Sequence, residues 1–120
     1  MLGANNTVLL IPSYNANDDL VLSLESISTV DNIDVLIIDD GSDIPPVLET
    51  LKNSFNANGQ IHLILLKNNV GITKALNIGL DWIYQYNYKY IARLDAGDFV
   101  VGERFSLQTE FLETHKDTGL

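Results

Sequence analysis

Val35-Leu36-Ile37-Ile38-Asp39-Asp40-Gly41-Ser42 sets four adjacent apolar residues directly against an acidic reversal. A strand with one face in water alternates apolar and polar residues. A run apolar at every position is what a parallel strand covered on both faces requires. Three further runs read the same way, Val8 to Ile11, Ile61 to Leu66 and Tyr90 to Leu94, each bounded by polar or turn-forming residues. The segments between them carry helical spacing. Asn17 and Asp18 are suited to cap a helix with a buried stripe of Leu20, Leu24 and Ile27. Pro45 and Pro46 open a second with Leu48, Leu51 and Phe55, closed by Gly59. A third runs from Thr73 to Tyr86 with Leu76, Gly79, Ile83 and Tyr86 near one stripe, and a fourth from Glu103 to His115 with Phe105, Gln108 and Leu112. The order β-α-β-α-β-α-β-α predicts the α/β class, a Rossmann-like, mostly parallel sheet flanked by helices. No repeat, low-complexity tract or linker divides residues 1–120, so one domain is expected.

The composition narrows the function. With 120 residues, 46% hydrophobic and 19% charged, the chain fits one globular core. Zero cysteines argue against a disulfide-stapled secreted scaffold. Sixteen acidic against seven basic residues give a net charge of −9, which repels nucleic acid and anionic lipid. No apolar run approaches the roughly 20 residues of a membrane span, and the first residues lack the basic segment of a signal peptide. The chain is therefore expected to be cytoplasmic, free or at the inner face of the membrane.

In parallel sheets ligands bind beyond the carboxyl ends of the strands, near a topological switch point. The first strand ends in Pro12-Ser13-Tyr14-Asn15, where Pro12 is expected to stop ladder pairing. The second ends in Asp39-Asp40-Gly41-Ser42-Asp43, where three carboxylates repel one another unless a cation or a donor-rich ligand, such as a nucleoside, compensates; a solvated turn is the plainer reading. The third leads through Asn68-Asn69-Val70-Gly71 to a helix whose free N–H groups favour a phosphate, with Lys74 close by; Asn-Gly sequences are also ordinary helix punctuation. The fourth ends in Arg93-Leu94-Asp95-Ala96-Gly97-Asp98. Mg²⁺ and Mn²⁺ use one or two protein carboxylates while phosphates and waters complete the shell, so Asp95 and Asp98 are candidate ligands. Arg93, costly to bury alone, is expected to pair with a carboxylate. His62 is expected to point outward and His115 to sit near a helix end; without cysteine or paired histidines, zinc is not expected. Trp82 and Tyr86 share a helix face and read as packing residues rather than a stacking platform.

Taken in order, Val8 to Asn15, Ile37 to Ser42, Asn69-Val70-Gly71 with Ala75-Leu76-Asn77-Ile78-Gly79, and Ala92 to Asp98 resemble the N-terminal half of family 2 glycosyltransferases, whose fold is the A-type nucleotide-diphospho-sugar transferase fold. The likeness runs from about residue 7 to 115. It implies a donor site for a nucleotide-diphospho-sugar, with Pro12, Ser13, Tyr14, Asn15, Asp39, Asp40, Gly71, Lys74 and Asp95 around uracil, ribose and diphosphate. It implies Mn²⁺ or Mg²⁺ on Asp95 and Asp98, and transfer with inversion to a sugar or lipid-linked acceptor in polysaccharide or glycoconjugate synthesis. The common Asp-Ala-Asp-Asp pattern is here Asp-Ala-Gly-Asp, one carboxylate short at Gly97. The family's general base lies in a later segment, so a longer protein is expected and none of these 120 residues is assigned as the base. Two other classes fit parts of the pattern. A non-catalytic nucleotide-binding module shares these features. A phosphoacceptor receiver would place its acidic pair after the first strand, whereas here it follows the second.

Overall fold

In the computed structural model, residues 5–27, 29 and 32–98 are described. The expected fourth helix, from Glu103, and His115 lie outside them. Four parallel strands, β1 (Thr7–Ser13), β2 (Asp34–Asp39), β3 (Ile61–Leu65) and β4 (Tyr90–Arg93), form one sheet in the order β3-β2-β1-β4. The chain thus steps outward from β1 to β3, then crosses back to place β4 on the other side of β1. That reversal makes the β1/β4 junction the switch point.

Successive side chains of a strand face opposite sides, and the two faces are both apolar. Leu9, Ile11, Val35, Ile37 and Ile61 point to one layer, where they pack with Leu20 and Leu24 of α1 (Asn17–Glu25) and Leu51 of α2 (Leu48–Ser54). Val8, Leu10, Leu36 and Ile38 point to the other, against Ala75 and Ile83 of α3 (Ile72–Ile83). Gly79 lets α3 approach closely, since a Cβ there would lie 2.8 Å from the Leu10 side chain. Two covered faces explain the unbroken apolar runs of β1 and β2.

Several local expectations are corrected. Helix α1 begins after Ala16 with no side-chain cap; Asn17 is its first residue, and its amide donates to the Ile44 carbonyl at 3.0 Å. Gly59 does not close α2, which ends at Ser54. Its missing Cβ admits the Ile33 carbonyl oxygen, which a side chain would meet at 1.7 Å. Strand β1 runs through Pro12, which pairs with Ile38 on the β2 side. On the other side the β1–β4 ladder ends at Leu10–Arg93, so the N–H that proline lacks falls beyond the last pair. Arg93 is 44% exposed on an edge strand and not buried; it pairs with Asp95 at 3.0 Å, as its charge demands.

At the amino ends of the strands, opposite the expected site, Asp34 is 1% exposed and accepts hydrogen bonds from the Asn5 amide, the Gln60 N–H and the Tyr88 hydroxyl. His62 follows it on β3 and points not outward but into the α3 layer, its ring centroid 5.3 Å from that of Trp82, which in turn stacks on Tyr86 at 4.8 Å. The histidine's Nε2 is buried without a partner. Desolvation holds its pKa below the ordinary 6.5, against the opposing pull of Asp34. The neutral imidazole is thus favoured by folding, so its contribution is complete above pH 6.5 and is lost as pH falls through the lowered folded-state value. Denaturant melts between pH 8 and pH 5 should show part of the acid destabilisation disappearing in His62→Leu; an unchanged pH slope would refute the assignment.

Candidate functional site

The acidic end of β2 is held by protein donors, not by solvent. Asp39, 1% exposed, accepts bonds from the Ser13 hydroxyl at 3.0 Å, the Ser42 N–H at 2.9 Å and the Ser42 hydroxyl. Asp40, 5% exposed, turns toward the loop that precedes α3. Its Oδ1 accepts the Val70 N–H at 2.7 Å, and its Oδ2 the Gly71 N–H at 3.0 Å and the Asn69 amide at 3.1 Å. The compensation that this turn requires comes from the protein itself for two of its three carboxylates: Asp39 and Asp40 each have three donors. Two N–H groups at the entrance to α3 are likewise not free for a phosphate, because Asp40 is the anion already placed there.

Gly41 makes this arrangement possible. At φ +75° it lies in the left-handed region, and a Cβ on it would stand 2.5 Å from the Asn68 carbonyl carbon and 2.6 Å from the Asn69 nitrogen. The β2 turn and the 68–71 loop thus meet backbone to backbone. Ser42 also closes the first strand's turn, since its hydroxyl accepts the Asn15 N–H at 2.7 Å while the Asn15 side chain accepts the Asp43 N–H at 2.9 Å.

A cleft of 310 Å³ opens at the β1/β4 switch point, lined by Pro12, Ser13, Tyr14, Ala16, Asp40, Ile72, Ala75, Asp95 and Ala96. Of the residues expected at the site, Pro12, Ser13, Tyr14, Asp40 and Asp95 meet here. Asn15, Asp39 and Gly71 brace the walls from behind. Lys74 is exposed on the first turn of α3 and does not line the cleft, nor does Asp98. Sequence reasoning missed Ala16, Ile72, Ala75 and Ala96, small or apolar side chains with no chemical signature, and also the bracing role of Ser42.

Beyond β4, Asp95-Ala96-Gly97-Asp98 forms a turn closed by the Asp98 N–H donating to the Asp95 carbonyl at 3.0 Å. Gly97 occupies its third position at φ +96°, where a type II turn needs a positive φ. A side chain at this position would have to hold a φ that L residues rarely adopt. Asp95 is 55% exposed and Asp98 is exposed as well. Two exposed carboxylates at the two ends of one turn suit a hard divalent cation that takes its remaining ligands from phosphate and water. Among the described residues no group of three or more His, Cys, Asp or Glu converges on a metal position, so any such ion would depend on its substrate for ligands.

A doubly wound sheet with a carboxylate-edged cleft at its switch point defines a Rossmann-like ligand-binding domain. The family model described as Glycosyl transferase family 2 matches residues 8–120, and the chain belongs to that family. The chain is 30% identical over 119 residues to the amylovoran biosynthesis glycosyltransferase AmsE of Erwinia amylovora, covering 93% of this chain and 42% of AmsE. It is 32% identical over 114 residues to the UDP-Glc:alpha-D-GlcNAc-diphosphoundecaprenol beta-1,3-glucosyltransferase WfaP of Escherichia coli, covering 90% of this chain and 41% of WfaP. The chain thus spans less than half the length of these relatives. Among solved structures, residues 1–349 of S. aureus TarS in complex with UDP-GlcNAc share the fold at a TM-score of 0.66 and 21% identity, over 92% of this chain and 32% of that one.

Gly41→Ala should destabilise the fold by more than about 1 kcal/mol in chemical denaturation, since it adds backbone strain to a clash with a backbone that has no room to retreat. A change within error would show that the 68–71 loop is not held against this turn.

Proposed function

We propose that the cleft binds the donor of a glycosyl transfer reaction, a nucleotide-diphospho-sugar and most specifically a UDP-sugar. The observation that carries this reading is the convergence of Ser13, Tyr14, Asp40 and Asp95 on one cleft at the switch point of a family 2 fold. Similar proteins support it: WfaP is named for a UDP-glucose donor, and TarS was solved with UDP-GlcNAc.

The chemistry follows from the walls. Tyr14, 47% exposed at the mouth, offers a ring face to a planar base. Asp40 Oδ1 carries one donor, the Val70 N–H, and a carboxylate oxygen has room for a second, so it suits a base N–H or a ribose hydroxyl. Ser13 donates to Asp39 and keeps its lone pairs for the ligand. Asp39, Asn15 and Gly71 act by fixing these neighbours. The diphosphate would extend toward the Asp95–Asp98 turn, where those two carboxylates would hold Mn²⁺ or Mg²⁺. An ion there supplies Lewis-acid stabilisation of the leaving nucleoside diphosphate. Arg93, paired with Asp95, orients that carboxylate and limits its freedom before the ion arrives.

Transfer would proceed with inversion, the acceptor hydroxyl losing its proton to a base outside the residues assigned here. The acceptor is a sugar or a lipid-linked sugar, in the synthesis of a cell-envelope polysaccharide or glycoconjugate on the cytoplasmic side of the membrane. No helix among the described residues is long and apolar enough to cross that membrane.

A UDP-sugar at millimolar concentration with Mn²⁺ should raise the melting temperature, in line with the roughly 2.7 kcal/mol of linkage expected at a hundredfold excess over Kd. No shift with any UDP-sugar would defeat the donor assignment. An equal Mn²⁺-dependent shift in Asp98→Ala would defeat the metal assignment.

A further inference from the structure

The Asp95–Asp98 turn has little of its own to hold it in place. It follows an edge strand whose ladder with β1 ends at Leu10–Arg93, followed by one more bond from the Leu94 N–H to the Leu10 carbonyl at 3.1 Å. Both carboxylates are exposed; Asp95 is held by its ion pair with Arg93, and the direction of Asp98 is set by the backbone beneath it. That backbone is gripped by Ser23, 75 residues earlier in sequence than Asp98 and fully buried at 0% exposure. The Ser23 hydroxyl donates to the Asp98 carbonyl at 2.8 Å and accepts the Gly97 N–H at 2.9 Å.

A serine inside a helix ordinarily bonds back to its own preceding turn. Here the hydroxyl leaves α1 and uses its donor and an acceptor lone pair on two consecutive residues of the turn, which ties down the backbone on both sides of the Gly97–Asp98 peptide. Asp19, one helical turn earlier on the same face of α1, packs beside Gly97, its Cγ 3.4 Å from where a Cβ would stand. The helix surface is thus shaped around the turn at two successive positions. Groups that orient metal ligands govern affinity almost as strongly as the ligands do.

We propose that Ser23 is a positioning residue for divalent-cation capture: by clamping Gly97 and Asp98 it presets the carboxylate turn that meets the donor's diphosphate. The proposal rests on the donor-site reading above, and its test separates the two. UDP binding by the full chain is measured by calorimetry with and without Mn²⁺, and bound Mn²⁺ is followed by its electron paramagnetic resonance signal. Ser23→Ala should weaken the Mn²⁺-dependent gain in UDP affinity about tenfold or more while leaving metal-free UDP binding unchanged. Ser23→Cys, nearly isosteric with a weaker donor, should fall between the two. Ser54→Ala removes a buried helix hydroxyl that bonds back to Thr50 and should change neither quantity.

Retention of the full Mn²⁺ gain in Ser23→Ala overturns the positioning role alone. Equal loss of metal-free and metal-dependent binding also overturns it, because that is the mark of a merely structural serine. Failure of the unaltered chain to bind UDP or Mn²⁺ overturns the donor-site reading, and the positioning role with it.

Discussion

Two adjacent carboxylates buried at the end of a strand are tolerable only when each is fully supplied with donors, and the upper half of this molecule is organised by that requirement. Asp39 is answered from the first strand's end and its own turn, and Asp40 from the loop before α3. Meeting the demand draws three separate loops into contact. Gly41 sets the distance, since only a residue without a side chain lets the 68–71 backbone come so near. The cleft is the space left between these loops and β4, and its shape is a by-product of satisfying two charges.

This arrangement changes what an acidic strand end means. From composition alone, clustered aspartates suggest an ion held among them. In the folded chain Asp39 serves as internal anchorage, and Asp40 is shared between anchorage and the cleft wall. The carboxylates with open space around them are those of the fourth strand's turn, Asp95 and Asp98. Division of labour between buried and exposed acids gives the cleft one rigid, hydrogen-bonded side and one exposed, charged side.

Much of the fold was legible in the sequence because it depends on runs, not single residues. Apolar stretches marked all four strands, unbroken in β1 and β2 and interrupted by His62 and Arg93 in the other two, and each boundary fell within a few residues of the structure. The strand order was not written in any run; it follows from where β4 returns, and this sets Pro12 to Tyr14 beside Asp95. Single-residue expectations fared less evenly. Gly59 looks like a helix stop because glycine commonly is one, while its actual duty, admitting the Ile33 carbonyl, needs a contact distant in sequence. Lys74 was placed at the ligand by proximity to the helix start, but helical rotation carries it to solvent. Ser23 left one faint trace, a hydroxyl between Leu20 and Leu24 on an otherwise apolar stripe, and its partners lie too far along the chain to be inferred from it.

The two acidic turns are braced by different parts of the molecule, one by the 68–71 loop and the other by α1, and they share only the end of β1 between them. Substitutions that alter the support of one turn need not disturb the other, because none of these bracing bonds is common to both. Such separability leaves either wall of the cleft open to change while the other is kept.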